Sequence, residues 1–465
     1  MTRVIVIRLL VLASVITGIN YVVWRWAFSL NLDAWWIAVP LVIAETYSLI
    51  DSALFGMTVW KARRRAAPPA APAGLTVDVF IATYNEPIEL VTQTAEGAKA
   101  IRYPHRTWIL DDGSRPGLRE AAASLNIGYI SRGAEWEGFS RHAKAGNVNN
   151  ALLETEGEFV LILDADMVPH PQILDRTLGY FDDPSVAFVQ TPQHFLNVSH
   201  GDPLGSQAPL FYGPIQEGKD GWNAAFFCGS NAVLRRDALM QLGITGYVKE
   251  VEGAVRVALN DAARIVRRAR ARAGAVDPRV QSALAEVSAA IAEARDAFRA
   301  GSAIADVTYI LRSRVDAAAQ SIVAADLADV EAELAAIDAL AHRGRHAMPP
   351  EPRTSSSETS AKALAAFGAS PLHSLDDVRQ AIDRVAVDRP GEAQPIMPLS
   401  TSSVTEDLAT SMQLHALGWR SVFHHENLAD GLALRTSSPR SRSAFAGDRA
   451  PCRSCSSRIP WSCAG

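Results

Sequence analysis

The stretch LILDADMVPHP, residues 161–171, sets an apolar run of strand length against an abrupt end: two carboxylates one residue apart, then Pro-His-Pro. Side chains at i and i+2 of a strand point the same way, so Asp164 and Asp166 are expected side by side at the strand's end. Two like charges so placed are costly unless something positive lies between them, and a divalent cation is the usual answer. An ordinary solvated turn is the competing reading, and on this stretch alone the two weigh equally.

Working outward, further short β-rich runs lie at 77–82, 107–110, 128–130 and 186–190, with helical stretches at 88–100 and 118–125 between them. Alternation of this kind predicts an α/β fold with a mostly parallel sheet covered by helices. Ligands of such sheets bind beyond the carboxyl ends of the strands. Thr83, Tyr84, Asn85 and Glu86 follow the first run, Asp111-Asp112-Gly113 the second, and Asp164 and Asp166 a later one. A lone DxD or DDG is weak; their joint placement at strand ends is much stronger.

The 465 residues suffice for two or more units with sizeable cores. A net charge of −5 gives no polycationic signal, so no nucleic acid partner is indicated. Of the four cysteines, Cys228 stands alone and Cys452, Cys455 and Cys463 sit near the end, a pattern short of a zinc site. Residues 4–23 and 34–60 are each close to the ~20 apolar residues that cross a bilayer. Trp24, Trp26, Trp35 and Trp36 bracket their connection, and Lys61, Arg63, Arg64 and Arg65 come directly after the second stretch. The positive-inside rule then places the chain beyond a Pro/Ala-rich linker at 66–76 in the cytoplasm. Glu45 and Asp51, expensive in lipid, are expected to face other helices.

The segments VDVFIATYNEP, WILDDGSR, HAKAGNVNNAL and LDADMVP, extended by QTPQHF, FFCGS and VTEDL, together resemble glycosyltransferase family 2. Within it they are similar to the cellulose-synthase-like processive β-glycan synthases. The resemblance covers residues 1 to about 244 and 400–433. It implies a GT-A type nucleotide-diphospho-sugar transferase domain at 77–246 and 401–433. The implied reaction is inverting, processive transfer of a sugar, glucose first, from a UDP-sugar to a growing β-glycan such as cellulose. By the resemblance, Asp166 with Asp164 holds Mg²⁺ or Mn²⁺ against the diphosphate. Asp111, Asp112 and the loop Thr83, Tyr84, Glu86 grip the uridine, and Lys144 meets phosphate. Asp407, in the Thr405-Glu406-Asp407 motif, is the general base. Phe227, Cys228, Gly229 and Ser230 form the acceptor-side floor, with Gln193 near the entering sugar. The resemblance also implies a multi-pass bacterial inner-membrane protein working with partner subunits of a glycan synthase complex.

Each motif has a plainer local reading. Asp111–Gly113 alone is a common turn, Lys144 a solvated lysine at a helix start, and Cys228 an inert thiol. VTEDLATSMQLHALGW alone is an amphipathic helix capped by Thr405, with acids in its first turn.

Two departures stand out. Residues 247–346 are an insertion rich in Ala, Glu, Asp and Arg with helical apolar spacing, read as two or three long helices. A linker with a short helix occupies 347–400. Family members also carry Gln-x-x-Arg-Trp a little beyond the base, and residues 434–465 instead open as LRTSSPRSRSAFAGDRAPCRSCSSRIPW. Codons chosen for Ser443–Gly447 permit Gln-Arg-Phe-Arg-Trp one base earlier, so a shifted reading frame and a C-terminally truncated synthase are expected. The alternatives are another β-glycan or glycolipid transferase, or a catalytically impaired nucleotide-sugar-binding membrane protein.

Overall fold

The computed structural model describes residues 2–133, 136–198, 202, 205, 207–273, 278–343, 371–383, 393–401 and 405–432. The segments 347–360 and 434–465, with their expected linker and shifted frame, lie outside them. Among the described residues, those up to 133, 141–242 and 398–432 make one compact unit, and 136–140 with those from 243 to 397 a second.

The first unit begins with helices α1 (Thr2–Phe28) and α2 (Trp35–Val59), both long and apolar enough to cross a membrane. They pack antiparallel: Gly18 lies against Leu49 and Gly56 against Val11. Arg25 Nε donates to Glu45 Oε2 at 2.7 Å, so the charge expected to seek a neighbouring helix finds one. Asp51 is exposed.

The chain then alternates β1 (Val77–Thr83), α3 (Ile88–Lys99), β2 (Arg106–Asp111), α4 (Pro116–Leu125), β3 (Gly128–Ile130), α5 (Ala143–Glu154) and β4 (Phe159–Asp164). It continues through β5 (Met167–Pro169), β6 (Val186–Gln190), β7 (His194–Phe195), α6 (Gln216–Gly221) and β8 (Ala232–Arg235). The helix α7 (Arg236–Ala273) comes next, and the division between the units falls within it, after Leu242.

The sheet runs β3-β2-β1-β4-β8-β6-β9, where β9 is Arg420–Phe423. It is mixed rather than all parallel: β8 lies antiparallel between β4 and β6. Four residues carry too short a pattern to reveal that strand in the sequence. β1 is buried along its whole length, as a strand covered on both faces must be. Val79, Ile81, Leu161 and Leu163 face Val91, Ala95 and Leu118. Phe80, Val160 and Ile162 face Val148, Leu152 and Leu239 on the other side. The register aligns Thr83 with Asp111 and Ala82 with Asp164. At about 4.8 Å per strand, the ends of β2 and β4 stand roughly 10 Å apart on one rim. A small second sheet, β5-β10-β7 with β10 at Ala429–Gly431, closes the domain beside that rim.

Two arginines of the basic run after α2 are paired within the unit. Arg64 and Arg3 pair with Glu217 of α6, and Arg65 Nη2 meets Asp220 Oδ1 at 2.7 Å. Lys61 lies 3.7 Å above the Trp222 ring.

The second unit is helical: the later part of α7, then α8 (Pro278–Arg299), α9 (Ile304–Arg343) and α10 (Pro371–Asp383). Its core joins Val255, Leu259 and Val266 to Leu284, Val287, Ile291, Leu311, Val315, Leu375 and Val378.

Candidate functional site

The centre of the rim is Lys144, on the first turn of α5. Its Nζ donates to Asp164 Oδ1, at the end of β4, and to the carbonyl of Gly229 at 2.6 Å. Burial works against that charge, but Asp164 first and then Asp407 and Glu406 outweigh it and raise the ammonium's pKa. This lysine is therefore no solvated helix-start residue.

Helix α11 (Glu406–Ala416) brings the VTEDL acids to the same place. Thr405 stands at its N-cap position without a side-chain capping bond, so the capping expected of it is not what the side chain does. A side chain on Gly229 would collide with the Asp407 carboxylate, and Gly229 adopts φ +81°, where a Cβ is strained. Glycine is thus required here twice over. Burial raises the Asp407 pKa; Lys144 lowers it and Asp164 raises it again. Burial, then Asp407, pushes Glu406 up to about 7, against the Ala145 amide and Lys144.

Asp166 does not continue the strand. β4 ends at Asp164 and a turn carries the chain to β5, so the expected i, i+2 geometry is replaced by a corner. The two carboxylates still feel one another: burial, then Asp164, then Glu86 at longer range, push Asp166 up to about 6. Among the described residues no group of three or more His, Cys, Asp or Glu side chains could hold a metal ion.

Several side chains expected to touch a ligand belong instead to the framework. Asp111 is wholly buried and accepts from the Gly113 and Arg115 amides, Arg115 Nε at 3.0 Å and Tyr129 Oη at 2.8 Å. A buried carboxylate needs such partners, and it has no face left for uridine. Asp112 pairs with Arg132 at 2.5 Å and with Arg141 at 3.0 Å. Phe227 is buried and packs its ring toward Phe188 at 6.3 Å between centroids, so it is core rather than acceptor floor. Ser230 is also buried; its Oγ accepts from the Asp164 amide at 2.9 Å and so aims that residue. The Glu86 carboxylate accepts from Thr83 Oγ1 and from the Tyr84 and Asn85 amides; burial alone would raise its pKa, yet these bonds lower it. Tyr84 itself is exposed. Gln193 accepts from Tyr212 Oη at 2.9 Å. Cys228 is partly buried and carries a thiol pushed up to about 12 by burial, so it is protonated.

Sequence reasoning missed the residues that hold this frame. Arg115 ties Asp111, Thr83 Oγ1 and the Glu86 carbonyl together. Gln190 accepts from the Cys228 amide at 2.8 Å and donates to the Ser230 carbonyl at 2.7 Å, fixing the FFCGS loop. Gln216 bonds the Phe226 backbone in both directions. Arg115 ends the segment WILDDGSR and Gln190 begins QTPQHF, which was the available signal; buried Arg132 and Gln216 show themselves only through tertiary partners.

The rim gathers carboxylates around one lysine, and residues 78–243 match the family model described as glycosyl transferase family 2. The matched segment takes in the mixed sheet from β1 to β8. The cellulose synthase catalytic subunit [UDP-forming] of Pseudomonas fluorescens (strain SBW25) is 39% identical over 255 residues, covering 50% of this chain and 33% of that one. Putative cellulose synthase 2 of Komagataeibacter xylinus is 39% identical over 258 residues, 52% of this chain and 16% of the relative. Cellulose synthase 1 of the same organism is 38% identical over 247 residues, 50% and 16% respectively. The chain thus spans a third or less of the length of these relatives. Glucosyl-3-phosphoglycerate synthase from Mycobacterium tuberculosis, solved with Mn²⁺, UDP and phosphoglyceric acid, overlaps 36% of this chain and 58% of its own. Its identity is 18% and its TM-score 0.28, an overlap too loose to carry a residue-level argument.

Proposed function

We propose that this chain transfers a sugar, glucose first, from a UDP-sugar to a hydroxyl of a growing β-glycan of the cellulose type, with inversion. The observation that carries this reading is the convergence of Asp164, Asp166, Glu406 and Asp407 around Lys144 on one sheet rim. Two carboxylates that repel one another, with no third ligating side chain in the described set, fit a hard cation. Mg²⁺ and its kin take one or two carboxylates and leave positions for phosphate oxygens. Asp164 and Asp166 would hold it, and bound there it would neutralise charge on the leaving diphosphate.

The chain's own residues do the rest. Lys144 offers the diphosphate a point charge and steadies Asp164. Asp407 takes the proton of the acceptor hydroxyl as that oxygen bonds to the anomeric carbon. The bond from that carbon to the diphosphate oxygen breaks, and its electron pair leaves on UDP. A carboxyl raised by burial is the better base near neutral pH. The Thr83–Glu86 loop, held by Arg115, forms the donor side, and Gln193 with Tyr212 the acceptor side. Helices α1 and α2 would anchor the chain in a bacterial inner membrane with this domain cytoplasmic, beside partner subunits of a glycan synthase.

Because residues 434–465 lack Gln-x-x-Arg-Trp, a second reading is a protein that binds and turns over donor without elongating glycan. UDP release from UDP-glucose by the detergent-purified chain, with Mg²⁺ or Mn²⁺, tests both. EDTA and Asp407→Asn should each cut release at least about 100-fold. Release without glycan supports the second reading, and release untouched by Asp407→Asn would sink the first.

A further inference from the structure

Helix α9 has 40 residues against 22 in α8, about 60 Å against about 33 Å. Its buried row, Val307, Leu311, Val315, Ala318 and Ile322, stops halfway. Beyond it a different row begins: Val323, Leu327, Val330, Leu334 and Ile337, each between 51% and 62% exposed. The spacing is 4-3-4-3, the seam of a coiled coil, and a strip this narrow suits one helical neighbour rather than a broad core. At 3.6 residues per turn the two rows lie about 120° apart, so the exposed seam is a separate face and no continuation of the buried one. In coiled-coil register the described side chains beside the seam are Ala324, Glu331 and Glu333, all exposed, and both charges among them are acidic.

We propose that residues 323–337 dock a partner helix that carries an apolar heptad seam flanked by lysine or arginine. Flanking charges choose partners in such pairs. A second copy of the same stripe would set carboxylate against carboxylate in either orientation, a repulsion that selects against self-pairing.

The test uses the full chain in detergent with two synthetic three-heptad peptides, leucine at both seam positions, one flanked by lysine and one by glutamate. Fluorescence anisotropy should show the lysine-flanked peptide binding at least about tenfold more tightly than the other. Leu327→Ser with Leu334→Ser, both on the surface, should remove that binding with helix content unchanged by circular dichroism. Glu331→Lys with Glu333→Lys should reverse the preference. The proposal is overturned if neither peptide binds, if both bind equally, or if binding survives the serine pair. A dimer in sedimentation that the serine pair dissolves would overturn it too, making a second copy the occupant.

Discussion

Glu406 and Asp407 are neighbours on one helical turn, yet they sit differently toward Lys144. Asp407 lies against Gly229 with the ammonium nearby, while Glu406 faces the Ala145 amide and feels Asp407 as a repulsive neighbour. One lysine cannot balance four carboxylates, so the rim stores negative charge. That surplus fixes the sign of the pH effect. Glu406, at about 7, and Asp166, at about 6, bind protons more tightly folded than in the ordinary carboxylate range. Stability from these groups therefore rises as pH falls from 8 toward 5, and the full cost of their charge is present above 7. Glu406→Gln or Asp166→Asn should raise Tm at pH 8 by a few degrees, about 1 kcal/mol once solvent screening at these half-buried sites is allowed for. Each should also flatten the wild-type gain on acidification; a steeper gain in the variants would contradict the charge cluster. That Asp164, Asp166, Lys144 and Asp407 come together on one rim was legible in sequence, because short motifs at strand and helix ends carry them. Asp111 and Phe227 were misread because a motif names a residue and not the direction of its side chain.

Among the elements, the expected strands at 77–82, 107–110, 128–130 and 186–190 match β1, β2, β3 and β6 to within a residue at either end, and the apolar run before Asp164 is the end of β4. Strand β8 was hidden, since three apolar residues and an arginine fit too many structures. α6 was hidden also: six polar residues give no periodicity, and only the fold reveals Gln216, Glu217 and Asp220 as buried. Asp220 answers Arg65 and accepts from the Phe423 amide at 3.0 Å. Asp220→Ala should cost about 3–5 kcal/mol, because it strands a largely buried guanidinium and an amide. Replacing both partners, Arg65→Met with Asp220→Leu, should cost less than the single change. Denaturant midpoints in detergent measure both, and a harmless Asp220→Ala would show the pair to be ornamental.

At the scale of the whole molecule, the sequence announced its parts by composition: an apolar opening, an alternating α/β body, and an alanine-rich helical stretch. It could not announce that Arg64 and Arg65 of the run after α2 pair with acids of the same domain, because the positive-inside rule counts charges and ignores their partners. Arg64 and Arg65 are paired with acids of the same domain, Arg65 largely buried, while Lys61 and Arg63 stay exposed. If α1 and α2 span a bilayer, membranes carrying the chain should keep it through carbonate washing, and a version starting at residue 61 should wash free. Loss of the full chain in that wash would refute insertion.

The shared carboxylate of Asp220 gives this arrangement a mechanical meaning. The point where the apolar hairpin hands over to the α/β body is also a rivet on the outermost strand of its sheet. Tugging at one should loosen the other. The choice of solubilising agent then becomes a folding variable, with harsh extraction fraying the β9 edge before it disturbs the lysine-centred rim.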